Sequence, residues 1–243
     1  MDERDVFSKI KKIENRLSKE DAEYLRNYLS NAPYWVLESA QVLTKEPKNV
    51  FIEENAKADK VYLLLDGTVK AIDYRIKGVA YDYMWFNSIK ALGAMEILYN
   101  LDEYKTTLST VTQCTFLVIS RSNYERWLWE DKNVLQMEVE STGNILLEQN
   151  RIGRVLMFLQ GMDRIIYLFL KNYEQSKPEG DYILGLGRLE IAERCGFSVK
   201  TVNRAIKKME EDGYIIKEGH KIIITKEQYG MMKDYLDQIV EHW

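Results

Sequence analysis

The sequence predicts an α+β chain: an antiparallel β-barrel of jelly-roll or cupin type, then one long helix, then a small helical domain closed by a β-hairpin. Three observations carry this. Residues 42–120 break into short runs rich in Val, Ile, Tyr, Thr and Phe, separated by turn signals such as Asp66-Gly67, the pattern of an all-β sandwich or barrel. Residues 133–160 place Leu135, Ile145, Ile152, Leu156 and Leu159 at helical spacing. Residues 188–225 read helix, glycine, helix, hairpin.

Each element has a local reason. Near the start, "LSKEDAEYLRNYL" sets Leu17, Ala22, Leu25 and Leu29 near one helix face, with Ser18 placed as N-cap and Pro33 as a stop. The β segments are "QVLTKEPKNVFIEEN", "KVYLLLDGTVKAIDYRI", "GVAYDYMWFNSI" and "CTFLVIS". Tyr62, Tyr83 and Trp85 within them read as packing residues rather than a ligand cage. "SNYERWLW", residues 122–129, is a short helix capped by Ser122. On the long helix, Leu135, Glu138, Thr142, Ile145, Gln149, Ile152, Leu156 and Leu159 fall near heptad a and d positions, a seam for a partner helix. Glu138, Thr142 and Gln149 weaken that seam. Such a residue fixes register, reaches a ligand, or marks a helix that packs on its own barrel. Gly161 suits a helix C-cap and Asp163 a cap for a helix over 164–173. "EQSKPEGD", residues 174–181, reads as a turn.

Composition removes several kinds of chemistry. The chain has 243 residues, 46% hydrophobic and 30% charged, with formal net charge −4, ordinary values for one or two globular domains. The N-terminal stretch has no apolar run of a secretory signal. "VLMFLQGMDRIIYLFL" is cut by Asp163 and Arg164, so no membrane span is expected, and the chain is read as cytoplasmic. Cys114 and Cys195 are the only cysteines and His220 and His242 the only histidines. That is too few for a cysteine-ligated iron–sulfur cluster or a structural zinc site, and leaves no histidine beside a nucleophile. No cofactor, no metal and no enzymatic activity are expected.

The segment 188–215 contrasts with the acidic whole. Residues 188–208 hold Arg188, Arg194, Lys200, Arg204, Lys207 and Lys208 against Glu190 and Glu193. Ile191, Ala192 and Cys195 form the apolar face of a first helix, with Gly187 as its N-cap. Gly196 ends that helix, since glycine takes positive φ at no steric cost. Ser198 caps a second helix, on which Val202, Ala205, Ile206 and Met209 make one buried stripe. Val199, Lys200, Asn203, Arg204, Lys207 and Lys208 lie opposite. Two helices around a tight glycine turn form a helix-turn-helix, whose second helix enters the DNA major groove. "GYIIKEGHKIIIT" then reads as a hairpin wing around Glu218-Gly219, and Thr225 with Gln228 forms a capping box for a last helix over 226–240. The C-terminal domain is thus a winged helix.

On these segments the chain resembles the Crp/Fnr family of bacterial transcription regulators over nearly its whole length. "ADKVYLLLDGTVKAI" and "LGAMEIL" resemble the family's barrel signatures, "FLQGMDRIIYLFL" its hinge, and "EIAERCGFSVKTVNRAIKKMEEDGYI" its helix-turn-helix. The resemblance implies three parts: residues 1–132 as effector-binding barrel with an N-terminal helix, 133–160 as dimerisation helix, and 161–243 as DNA-binding domain. It implies a homodimeric, sequence-specific regulator under small-molecule control, with double-stranded DNA and RNA polymerase as partners. The alternative is a cyclic-nucleotide-binding sensor module. Arg188, Ser198 and Thr201 match phosphate-contacting positions, and Val199, Lys200 and Arg204 match base-reading ones, with Asn203 and Lys207 on the same face. Gly93, Ala94 and Glu96, with Lys105 and Thr106, occupy the effector positions of the barrel, and Gln149 and Asn150 those of the long helix. Cyclic-nucleotide binders carry Gly-Glu and Arg-Ser there; this chain has Gly93-Ala94 and Lys105-Thr106. A lysine is a point charge without the planar fork of arginine, so a cyclic nucleotide is not the expected effector, and its identity stays open.

Overall fold

The computed structural model describes residues 3–76, 79–87, 89–176 and 178–240. It divides into two compact units, Met1–Asp73 with Tyr83–Leu146, and Tyr74–Asp82 with Leu147–Trp243. The expected histidine His242 and the turn residue Lys177 lie outside the described residues.

The first unit opens with three helices, α1 (Glu3–Glu14), α2 (Lys19–Leu29) and α3 (Tyr34–Ser39). Ser18 caps α2 as expected, its hydroxyl accepting from Asp21 N–H at 3.0 Å. The helix stops at Leu29 without help from Pro33, which instead caps α3. Strands β1 (Gln41–Lys45), β2 (Val50–Ile52), β3 (Lys60–Asp66), β4 (Thr68–Ile76), β5 (Val79–Asn87), β6 (Lys90–Leu92), β7 (Thr107–Thr110) and β8 (Cys114–Ser120) follow, with α4 (Ala94–Leu98) between β6 and β7. They form two four-stranded sheets, ordered β1-β8-β3-β6 and β2-β7-β4-β5. The described pairings are antiparallel.

The expected antiparallel β-barrel of jelly-roll type takes the form of two sheets not closed into a barrel, and β3 shows why. Side chains alternate across a strand. Val61, Leu63 and Leu65 pack with the helices, while Tyr62 and Leu64 pack into the cluster holding Val69, Leu108 and Phe116 of the two sheets. Burial on both faces explains the unbroken apolar run "VYLLL". The corner between β3 and β4 is Gly67, at φ +101°, where the chain leaves one sheet for the other. A Cβ there would stand 2.5 Å from the Gln113 carbonyl oxygen and 2.7 Å from Cys114 Sγ.

Helix α5 (Arg121–Glu130) begins earlier than expected. Ser120, at the end of β8, is its cap in place of Ser122 and accepts from Asn123 N–H at 3.3 Å. The long helix α6 runs Lys132–Phe158. Its expected seam faces inward over the first half: Glu138 and Thr142 are buried, and Leu135 packs against the sheet–helix core. Val139, Leu146, Leu147, Met157 and Phe158 are the exposed apolar side chains of the helix. A helix burying one stripe on its own unit must present a different stripe to anything else.

The second unit holds α7 (Met162–Ser176), β9 (Tyr182–Leu184), α8 (Arg188–Cys195), α9 (Val199–Glu211), β10 (Ile216–Glu218), β11 (Lys221–Ile224) and α10 (Lys226–Asp237). Gly161 takes φ +48°. Asp163 lies within the first turn of α7 rather than ahead of it, its carboxylate accepting from Gln160 N–H at 3.1 Å. The wing gains a third strand, because β9 pairs with β11. Phe169, Ile191, Val202, Ile206, Ile222 and Met232 share one core. Thr225 and Gln228 form the expected capping box of α10.

Gly67→Ala is expected to destabilise the chain by about 3 kcal/mol, since an L side chain at this φ is strained and meets backbone. Urea denaturation measures it; an unchanged midpoint would contradict the corner assignment.

Candidate nucleic-acid interface

Helices α8 and α9 meet at a turn built from three residues. Gly196 adopts φ +69° and closes α8, its N–H bonding the Ala192 carbonyl. Phe197 N–H also reaches the Ala192 carbonyl, at 2.9 Å. Ser198 then caps α9, its hydroxyl accepting from Thr201 N–H at 3.2 Å and meeting Thr201 Oγ1 at 3.0 Å. On α8, Gly187 N–H donates to Glu190 Oε2 at 2.7 Å. Cys195 is a small core residue, and burial pushes its thiol up to about 12.

The stripe Val202, Ile206 and Met209 is buried at 0–2% exposure. Burial of one helix face dictates what stands on the other. Ser198, Val199, Lys200, Thr201, Asn203, Arg204 and Lys207 are all exposed. Their charges are not equivalent. Lys207 pairs with Glu211 at 3.7 Å and Lys208 with Asp212 at 2.7 Å. Among the described residues, neither Lys200 nor Arg204 enters an ion pair. The N-terminal half of α9 therefore offers two unneutralised cations beside the helix's own positive end, while its C-terminal half is balanced. Such a surface suits a polyanion. Arg188, at the start of α8, is half-buried; burial lowers its affinity for the proton and Glu210 opposes that. Glu210 also meets Lys217 of the wing at 3.2 Å.

Sequence reading missed Arg164. On α7, its guanidinium donates to the Leu159 carbonyl at 3.0 Å and the Leu156 carbonyl at 3.2 Å, satisfying the open end of α6. It also stands 5.9 Å from the ring centre of Phe197, in the turn of the helix pair. A cation in the first turn of a helix opposes the dipole. That mismatch was the one signal in the sequence that its role lay elsewhere.

The expected effector positions are spread over both units. Gly93 takes φ +99°, and a Cβ there would be 2.7 Å from the Lys60 carbonyl oxygen. Ala94 is fully buried. Glu96 is buried at 3% and accepts from Lys105 N–H at 3.1 Å, bracing α4 to the segment before β7. Lys105 is exposed, with Glu103 3.6 Å from its ammonium. The Thr106 hydroxyl is held by Tyr83 Oη. Gln149 is half-buried and Asn150 exposed, both on α6 in the second unit.

Two helices joined by a glycine turn, a cationic outer face on the second, and a β wing behind it define a winged helix-turn-helix. A family pattern described as a Crp-like helix-turn-helix domain matches residues 150–229. The chain is 22% identical over 195 residues to the cAMP-activated global transcriptional regulator CRP of Escherichia coli, spanning 78% of this chain and 92% of that protein. It is 24% identical over 176 residues to the CRP-like protein Clp of Xanthomonas campestris, spanning 69% and 76%. In fold it matches the c-di-GMP-responsive regulator CLP of Xanthomonas campestris with TM-score 0.69 at 20% identity, covering 84% of this chain and 99% of that one. A CRP/FNR-family regulator of Thermus thermophilus matches with TM-score 0.65 at 17% identity, covering 82% and 100%. Residues 150–229 thus carry a Crp-like helix-turn-helix pattern, and the chain is similar over most of its length to transcriptional regulators of the CRP/FNR type.

Ser198→Ala removes the cap of α9. Thermal unfolding is expected to show a loss of about 1 kcal/mol; an unchanged melting temperature would contradict the capping role.

Proposed function

We propose that the chain works as a homodimeric, sequence-specific DNA-binding regulator, read out by α9. The observation that carries this is the exposure of Lys200 and Arg204, without ion-pair partners among the described residues, on a helix whose other face is locked into the core. Arg204 is assigned to a guanine edge, which its planar fork fits. Val199, exposed at 38%, is assigned to a thymine methyl. Lys200 and Asn203 extend the base-reading face. Ser198, Thr201, Arg188 and Lys207 are assigned to phosphates. The operator is double-stranded DNA, which places the protein in the cytoplasm, and RNA polymerase is a further partner. The chain acts by binding, not catalysis.

The second copy is assigned to the open side of α6. Val139, Gly143, Leu146, Asn150, Gly153 and Met157 follow one another at alternating steps of four and three residues, which is the spacing of a coiled-coil seam. A Cβ at Gly143 or at Gly153 would meet nothing within 4 Å, so both positions leave room for a partner helix. This replaces the seam through Glu138, Thr142 and Gln149. Functionally, residues 1–132 form the effector part, 133–160 the dimer helix and 161–243 the DNA-binding part. An effector shifts a population of conformers about Gln160–Asp163. A ligand that engages Lys105 and Thr106 has to displace Glu103 and Tyr83. Those contacts, with Glu96 committed to a backbone N–H, support an effector other than a cyclic nucleotide.

Two outcomes test this. Arg204→Ala is expected to weaken binding to a selected operator by roughly 10- to 100-fold and leave binding to random duplex within about threefold, by fluorescence anisotropy at fixed salt. Equal loss on both duplexes would remove base reading from α9. Leu146→Glu is expected to raise the dimer dissociation constant at least about tenfold, by analytical ultracentrifugation, with far-UV circular dichroism unchanged. A fully dimeric variant would refute the open-face seam.

A further inference from the structure

Outside both sites, three helices of the first unit bring together a buried polar cluster. Tyr28 of α2, Tyr124 of α5 and Glu138 of α6 are exposed at 1%, 0% and 4%. Tyr28 Oη donates to Glu138 Oε1 at 2.6 Å. The two phenol hydroxyls are themselves hydrogen-bonded. Trp127 meets both phenol rings edge-on, with centroids 5.7 Å away in each case. Its indole N–H is bound by Asp131 Oδ2 at 3.3 Å, so it adds no donor to the cluster. A carboxyl so placed is enclosed by α6 itself, α2 and α5, with Lys90 of β6 nearby.

The groups that face it come from every neighbouring element. Tyr24 and Tyr28 stand on α2, Tyr124 on α5 and Lys90 on β6, while Glu140 of α6 acts on Tyr24. Lys90 also donates to Ser141 Oγ at 3.0 Å. Burial pushes the Glu138 carboxyl up, and Tyr28, Lys90 and Tyr124 pull it back, leaving it at about 7. Burial, with Glu138 beside them, holds both phenols well above their ordinary value, so they stay protonated around neutrality. With Glu138 ionised, the phenols can only donate toward it. With Glu138 protonated, its own O–H needs an acceptor, and a phenol oxygen is the neighbour available. One proton gained from solvent therefore lets the Glu138 carboxyl donate to a phenol oxygen, where the carboxylate could only accept.

We propose that Glu138 is a proton-sensing residue, and that the proton on its carboxyl sets how firmly the first turns of α6 are held against α2 and α5. The folded surroundings favour the protonated form. The linkage therefore has a definite sign. An unfolded glutamate titrates near 4.5, so the folded chain binds more protons between that value and about 7. Stability from this group is full at the acid end of the window and is lost as pH rises through about 7. Above it, a buried carboxylate pulls toward water and the inner face of α6 loosens. The proposal holds independently of whether the chain binds DNA.

The test uses the full chain. Carbon-13 spectra of labelled glutamate carboxyls, with the Glu138 resonance assigned by its loss in Glu138→Gln, should show titration near pH 7. Urea unfolding at pH 5.5 and 8.5 should show the wild-type folding constant falling about thirty-fold more than that of Glu138→Gln. Amide exchange over residues 134–142, corrected for intrinsic chemistry, should speed up with pH in wild type alone. Titration near the ordinary glutamate value, or the same pH dependence in both proteins, overturns the proposal. Should Glu138→Gln fail to fold, carboxyl titration in wild type, assigned through neighbouring resonances, decides the matter by itself.

Discussion

The constraint on which the second unit depends is the division of α9 into two faces. Val202, Ile206 and Met209 are buried in a core shared with α7, α8, α10 and the wing. Three such side chains contribute about 1.5–3 kcal/mol each, an energy far larger than any exposed ion pair supplies. The helix cannot roll without losing it. Lys200 and Arg204 are thus held outward by what happens on the opposite side of the helix. The capping serine fixes where the helix begins, and Gly196 fixes the angle at which it leaves α8. If α9 reads DNA as proposed, its surface is preorganised, and little ordering cost remains for binding.

Helix α6 follows the same logic with two apolar stripes instead of one. Its inner stripe over the first half packs in the helix–sheet core and contains Glu138 and Thr142. Its outer stripe contains Val139, Leu146 and Met157, with glycines between. A helix of this length has room for both, because heptad positions cover less than half of its surface. Of the polar residues that weakened the inner stripe as a coiled-coil seam, Glu138 bonds within the unit and Thr142 is buried there. Glu138 is part of a cluster with two tyrosines, and that cluster makes the helix responsive to protons.

The positions that the resemblance assigns to an effector show which residues the fold itself requires. Gly93 is needed because its backbone passes too close to the Lys60 carbonyl for any side chain. Glu96 is needed to hold the N–H of Lys105. These are demands of the fold itself. Lys105 and Thr106 answer to no such demand, and their polar ends are met by Glu103 and Tyr83.

The sequence alone determined the order of elements, the winged helix and its outward residues, because periodicity and capping are local. Ser18, Gly187, Gly196, Ser198 and Thr225 act within one turn of where they stand, so their roles were legible from spacing. Family likeness was carried by the same segment. Tertiary structure decided the rest. Two open sheets rather than a closed barrel depend on strands far apart in sequence, such as β2 with β7 and β1 with β8. Ser120 instead of Ser122 as cap depended on where β8 ended. A three-residue strand, β9, is too short to show a period and exists because β11 offers it a partner. Which stripe of α6 is inner and which outer was undecidable from heptads, since both fit the spacing and only long-range burial separates them. Arg164 and Glu138 gain their roles from carbonyls and phenols supplied by other helices, and no local pattern announces such partners.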